Sequence, residues 1–284
     1  MTVPIPNAPC SNCQLFRVMS VIALTGVLAV TAFAPAAQAR GPIAVGPSAI
    51  DLGVAVKYRL LAAAAITAPG SVIDGHIGAG AAITISGTTI TYEEGGVTYP
   101  GLIEPGAALT GDAGHYSTIS DDMRNGLADL DAAYTAGKEC FSERLKEYPS
   151  PIPGCVDMDP VLITDNLAGM TLKAGMYHAG AGFALSASIH PLILDGDYNA
   201  AAVWLFQTDA SMVVEAGRKM ELINGASADR VFWIVDGAFT SGAGAAIVGN
   251  IISKAAITLG AGTQLNGRAL SVDAAITAPG CTLE

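Results

Sequence analysis

Charge is scarce in this 284-residue chain: Asp, Glu, Lys and Arg together make up 14% of it. Basic residues are the rarer kind, 14 against 25 acidic, for a formal net charge of −11. Nucleic-acid phosphates demand Lys and Arg, so this balance argues against a nucleic-acid partner and suits a soluble extracellular protein. Histidine is thin as well. His76, His115, His178 and His190 have no metal-ligand spacing. The chain has no Gly-x-Ser-x-Gly and no phosphate-binding loop. Its nearest carboxylate pair, Asp195-Gly196-Asp197, sits beside Gly and Asn and reads as a turn. Asp229-Arg230 and Arg218-Lys219 read as solvated corners. An enzyme would need such groups clustered at one place, so catalysis, a cofactor and a metal are not expected.

Hydrophobic residues make up 51% of the chain and there are 33 glycines, a composition of many short buried strands and many turns. Arg17 is the only charged residue before position 40, and the apolar run after it ends in Ala37-Gln38-Ala39. This pattern predicts a secretory signal peptide over 1–39, with a membrane anchor as the competing reading. Cleavage leaves a secreted chain of about 245 residues with no membrane attachment, one large domain after a lead-in over 40–59. Cys10 and Cys13 leave with the leader. Of the rest, Cys140 and Cys155 bracket "FSERLKEYPSPIPG", and a disulfide between them would stabilise by about 3 kcal/mol. Cys281 is left without a role.

The segment "AAITAPG" occurs at 64–70 and again at 274–280. In the C-terminal half "AFTSG" (238–242), "AITLG" (256–260) and "AITAP" (275–279) start 18 and 19 residues apart. Between them fall "IVGN" and "LNGR", then "IIS" and "ALS", so each period holds three strand-like pieces separated by turn residues. That is the signature of a β-solenoid with three parallel sheets. Successive strand residues face opposite sides. Phe239, Ile257 and Ile276 therefore face the core, while Ala238, Thr240, Ala256, Thr258, Ala275 and Thr277 face out. Ala65-Ile66-Thr67, Ala82-Ile83-Thr84 and Ala184-Leu185-Ser186 read the same way. Stacking them predicts an uncharged outward lattice with neighbours about 4.8 Å apart across strands and roughly 6.7 Å along them.

One helix interrupts the strands. Ser120 is placed to cap "DDMRNGLADLDAAYTAGKEC", and Met123, Leu127, Leu130 and Tyr134 form one apolar stripe for the solenoid's flank. Residues 85–119, Gly- and Thr-rich and poorly periodic, read as an irregular cap or insertion ahead of a helix over 120–140.

Over roughly 60–284 the sequence resembles the ice-binding-like domain of secreted microbial proteins, the adhesin-type ice-binding proteins. "ITAPGSVIDGHIGAG", "LADLDAAY", "LAGMTLKAGMY", "AAVWLFQTDASMVVEAGRKMELINGASADRVFWIV" and "VGNIISKAAITLGAGTQLNGRAL", in that order, carry the resemblance. It implies a discontinuous, three-sided right-handed β-solenoid with one long helix along a side, the N-terminal coil lying beside the C-terminal one. It also implies a monomer that adsorbs to ice crystal surfaces, inhibiting recrystallisation and producing thermal hysteresis. The expected contact residues are Ala65, Thr67, Ala184, Ser186, Ala238, Thr240, Ala256, Thr258, Ala275 and Thr277. The family's Thr-Ala/Gly-x-Thr/Asn repeats are largely replaced here, by Ala68-Pro69-Gly70-Ser71 and Ala261-Gly262-Thr263-Gln264. A second face, carrying Ser71, Ala246, Val248, Gln264 and Asn266, is the alternative surface. The rival function is an extracellular adhesion or surface-matrix module that binds glycan or protein.

Overall fold

Short strands of two to eight residues dominate the computed structural model, which describes residues 49–110, 120–144, 160–164 and 166–284. Nearly all pair in parallel, and they stack into three sides. The first side comprises Gly175–Ala179, Trp204–Thr208, Val231–Val235, Tyr58–Ala62, His76–Ala79 and Ile103–Pro105. The second runs through Thr171–Lys173, Leu192–Asp195 and Met220–Ile223, and continues through Thr282–Leu283, Val72–Asp74 and Thr89–Glu94. The long strands Ala246–Ser253 and Gln264–Ser271 belong to both: Asn250–Ser253 pair with Phe232–Val235 on the first side, while Gln264 and Leu265 pair with Thr282 and Leu283 on the second. Each bends at a glycine, Gly249 (φ 105°) and Gly267 (φ 142°). A Cβ on Gly267 would lie 2.1 Å from the Gly249 carbonyl oxygen, so only glycine lets these two coils approach.

The third side is a parallel sheet in the order Phe183–Leu185, Met212–Val214, Phe239–Ser241, Ile257–Thr258, Ile276–Thr277, Ile66–Thr67, Ile83–Thr84, Leu109–Thr110. The duplicated "AAITAPG" strands are direct neighbours, with Ile66 opposite Ile276 and Thr67 opposite Thr277. The expected discontinuity is present: the coil of residues 58–74 stacks on the C-terminal coil, not on residues 160–184. Inside the stack, Phe206 and Trp233 lie face to face at 4.0 Å, with Phe183 edge-on to both. Burial of side chains this large contributes about 1.5–3 kcal/mol each.

The helix Asp121–Arg144 lies on the first side. Ser120 Oγ accepts the Met123 N–H at 3.0 Å, the expected N-cap. Met123, Leu130, Tyr134 and Phe141 bury against Leu61, Leu205, Phe232, Ile252 and Leu270. Its 24 residues give a length of about 36 Å. Eight stacked strands span roughly 34 Å. One helix of this length carries the chain back along the whole stack, which is what a discontinuous solenoid requires.

Two expectations need correction. Residues 89–110 are not irregular. Thr89–Glu94 and Val97–Pro100 form an antiparallel hairpin, after which Ile103–Pro105 and Leu109–Thr110 rejoin the stack as a further coil. The hairpin, turned at Gly95-Gly96, lengthens the period and so hides it. The lead-in also ends sooner: Gly53–Lys57 is a 3₁₀ turn, the solenoid starts at Tyr58, and Leu52 and Ala55 bury against the helix. Cys140 is disulfide-bonded, and Cys155, its expected partner, lies outside the described residues. The leader over 1–39 and residues 111–119 lie outside them too.

Candidate functional site

The third side presents its outward residues in columns fixed by strand register. Ile66, Ile83, Phe239, Ile257 and Ile276 point inward and are fully buried, which turns their neighbours outward. One outward column reads Ala184, Val213, Thr240, Thr258, Thr277, Thr67, Thr84, Thr110. Six threonines in succession are therefore direct cross-strand neighbours, about 4.8 Å apart, and all six are exposed. The residues two positions before the threonines form a second column, in which Ala238, Ala256, Ala275, Ala65, Ala82 and Ala108 flank the threonines. Two positions after the threonines stand Gly242, Gly260, Pro279, Pro69 and Ser86.

Nine of the ten residues expected from sequence fall on these two central columns: Ala65, Thr67, Ala238, Thr240, Ala256, Thr258, Ala275 and Thr277 in the column expected of each, and Ala184 among the threonines rather than the alanines. Ala184 and Ser186 need correction. Phe183, not Leu185, aligns with Met212 and Phe239, so Ala184 stands in the threonine column and Ser186 two residues beyond it. Ser186 is also engaged: its hydroxyl accepts from Asn166 Nδ2 at 2.9 Å, and its N–H donates to Asn166 Oδ1 at 3.0 Å. Thr84, Thr110 and Val213 complete the column. Thr84 and Thr110 carry the same Ala-apolar-Thr pattern, whereas Val213 carries no such mark.

Hydroxyls and methyls make up the central columns, and no titratable group stands in them. Beneath the surface the corner is filled by small side chains, Ala245, Thr263, Cys281 and Ser71, all buried. Cys281 has its place here. Its thiol is free, and burial pushes it up to about 11, which keeps it unreactive. Ser71 donates to the Ala278 carbonyl at 2.5 Å and accepts the Cys281 N–H at 3.1 Å. The buried inner face and these hydrogen bonds hold the outward residues in register.

The second side differs in kind. Ala246, Gln264 and Thr282 stand in one outward column, and a shallow groove of about 210 Å³ runs among them, Asn266 and Glu284. Lys219, Glu221 and Glu284 are exposed on this side, so it is charged. Two of its expected residues are corrected as well. Ser71 faces the inner corner, and Val248 is buried. At the far end of this side Lys173 Nζ lies 2.8 Å from Asp195 Oδ2 and 3.3 Å from Asp197 Oδ1. The lysine hydrogen bond, with those of the Asp197 N–H and the Asn224 amide, holds the Asp195 carboxyl down at about 2. Asp195-Gly196-Asp197 is thus a turn closed by a lysine. Among the described residues no group of three or more His, Cys, Asp or Glu side chains gathers to hold a metal.

The comparisons point one way. A family profile described as ice-binding-like matches residues 60–283. The ice-binding protein K1-A of Typhula ishikariensis is 31% identical over 217 residues, covering 75% of this chain and 80% of that protein. An ice-binding protein of Leucosporidium sp. (strain AY30) is 30% identical over 227 residues, 78% of each chain. The crystal structure of an ice-binding protein from the Antarctic ascomycete Antarctomyces psychrotrophicus is similar with a TM-score of 0.60 at 28% identity, covering 83% of this chain and 97% of that one. This chain, with its three-sided stack and single long helix, belongs to the ice-binding-like family.

Proposed function

We propose that this protein adsorbs to ice through its third side, with the threonine and alanine columns as the contact surface. The observation that carries the reading is the unbroken ladder Thr240, Thr258, Thr277, Thr67, Thr84, Thr110, flanked by alanines and free of charge. Water over such a surface is held weakly, by spaced hydroxyls and by methyl groups, in a regular array. Charged side chains would bind water in a liquid-like shell. A rigid array avoids the entropy cost of ordering the surface on contact. The relatives named as ice-binding proteins support the same reading. The leader pattern at 1–39 supports export, and the protein then acts outside the cell as a monomer, slowing recrystallisation and lowering the freezing point without catalysis. The experiment is direct. A single ice crystal held in micromolar purified protein should become faceted and stop growing within a temperature gap. A crystal that grows as a smooth disc would overturn the proposal and leave the adhesion reading in its place.

A further inference from the structure

We infer that Glu215 marks the border of the adsorbing surface and confines it to six coils; the inference rests on the ice-adsorption reading. Among the described outward positions of the three columns on this side, Glu215 is the one charged residue. It stands two residues after Val213, the position at which the threonine ladder stops. Its carboxylate is held in place: Oε2 accepts the Ala187 N–H at 3.1 Å and the Arg218 Nη2 donor at 3.2 Å. The next coil carries Ala184 in the threonine column, and its Ser186 is occupied by Asn166. Charge, a missing hydroxyl and an occupied hydroxyl thus coincide at one end of an otherwise uniform sheet. A fixed carboxylate keeps a strongly oriented hydration shell, and an ice-like layer spreading along the ladder would meet it there. The fold itself continues past this border without change in strand pairing, so what ends the surface is side-chain chemistry rather than architecture.

The test removes the border without moving the backbone. Glu215→Gln with Arg218→Gln keeps an acceptor for the Ala187 N–H and leaves neither charge alone, and Val213→Thr extends the ladder by one coil. The triple variant should melt like the wild type and show thermal hysteresis raised by roughly twofold at equal concentration, because desorption depends exponentially on contacts made. Glu221→Gln, which deletes the same charge on the second side, should leave hysteresis unchanged. An active wild type whose triple variant gains nothing overturns the border and leaves the ice reading intact. An equal gain from Glu221→Gln also overturns it, because net charge would then be the cause. Wild type and variant both inert toward ice would overturn the border together with the reading beneath it.

Discussion

At the scale of single residues, direction decides role. Ile257 is fully buried and Thr258 beside it is exposed, and the same contrast holds at Ile276–Thr277, Ile66–Thr67 and Ile83–Thr84. Strand alternation makes this legible from sequence wherever one large residue stands between two small ones. It fails where two large residues alternate. Phe183 and Leu185 both suit the core, so the local pattern allows two alignments two residues apart, and only pairing with Met212 chooses between them. Val213 was hidden for a related reason: Met212-Val213-Val214 is apolar throughout and does not announce which residue faces out. The corner glycines make the strictest single-residue demand. Gly267→Ala would drive a Cβ into the Gly249 carbonyl at a positive φ, and should cost at least about 2 kcal/mol by denaturant unfolding. A variant as stable as the wild type would contradict the tight stacking of these coils.

At the scale of elements, short strands are stable only in the stack. Two-residue strands such as Ile66–Thr67 and Leu109–Thr110 bury nothing alone and gain their place from the coils above and below. This is why the periodic C-terminal coils could be read in the sequence while the coil at 103–110 could not: its hairpin breaks the period, although Ala108-Leu109-Thr110 repeats the motif. The helix was legible because an N-cap and a long apolar stripe are local signals. The corner elements carry a pH dependence. The Asp195 carboxyl is held at about 2 against an ordinary 3.8, so the folded state favours its ionised form. Its contribution to stability is present above pH 3.8 and is lost as pH falls through about 2. Asp195→Asn should therefore lower Tm at pH 6, and the difference from wild type should shrink below pH 3.8 and vanish only below about pH 2. A difference that persists undiminished in acid would contradict the role given to Lys173 and Asn224.

At the scale of the whole molecule, the solenoid starts in the middle of its own stack. Residues 58–74 join the C-terminal coil, the stack grows outward to Thr110, and the helix returns the chain to the opposite end. The repeated "AAITAPG" follows from this order, because its two copies are adjacent strands with the same neighbours and the same outward task. Thr67→Cys with Thr277→Cys should close a disulfide under mild oxidation, since paired strands lie about 4.8 Å apart. Two free thiols in the folded double variant would contradict the discontinuous order.

That order also divides the described surface into a helix-covered side, a charged side and a side whose threonine ladder carries no charge, and only the last suits ice. Thermal hysteresis measured on the wild type, Thr258→Tyr and Gln264→Tyr tests this division most directly. Both substitutions are outward and should leave unfolding free energy within about 0.5 kcal/mol of wild type. Thr258→Tyr stands in the middle of the ladder and should remove most of the hysteresis, while Gln264→Tyr on the charged side should keep it. Full activity in Thr258→Tyr with loss in Gln264→Tyr would place the ice contact on the wrong side of the solenoid and contradict the account.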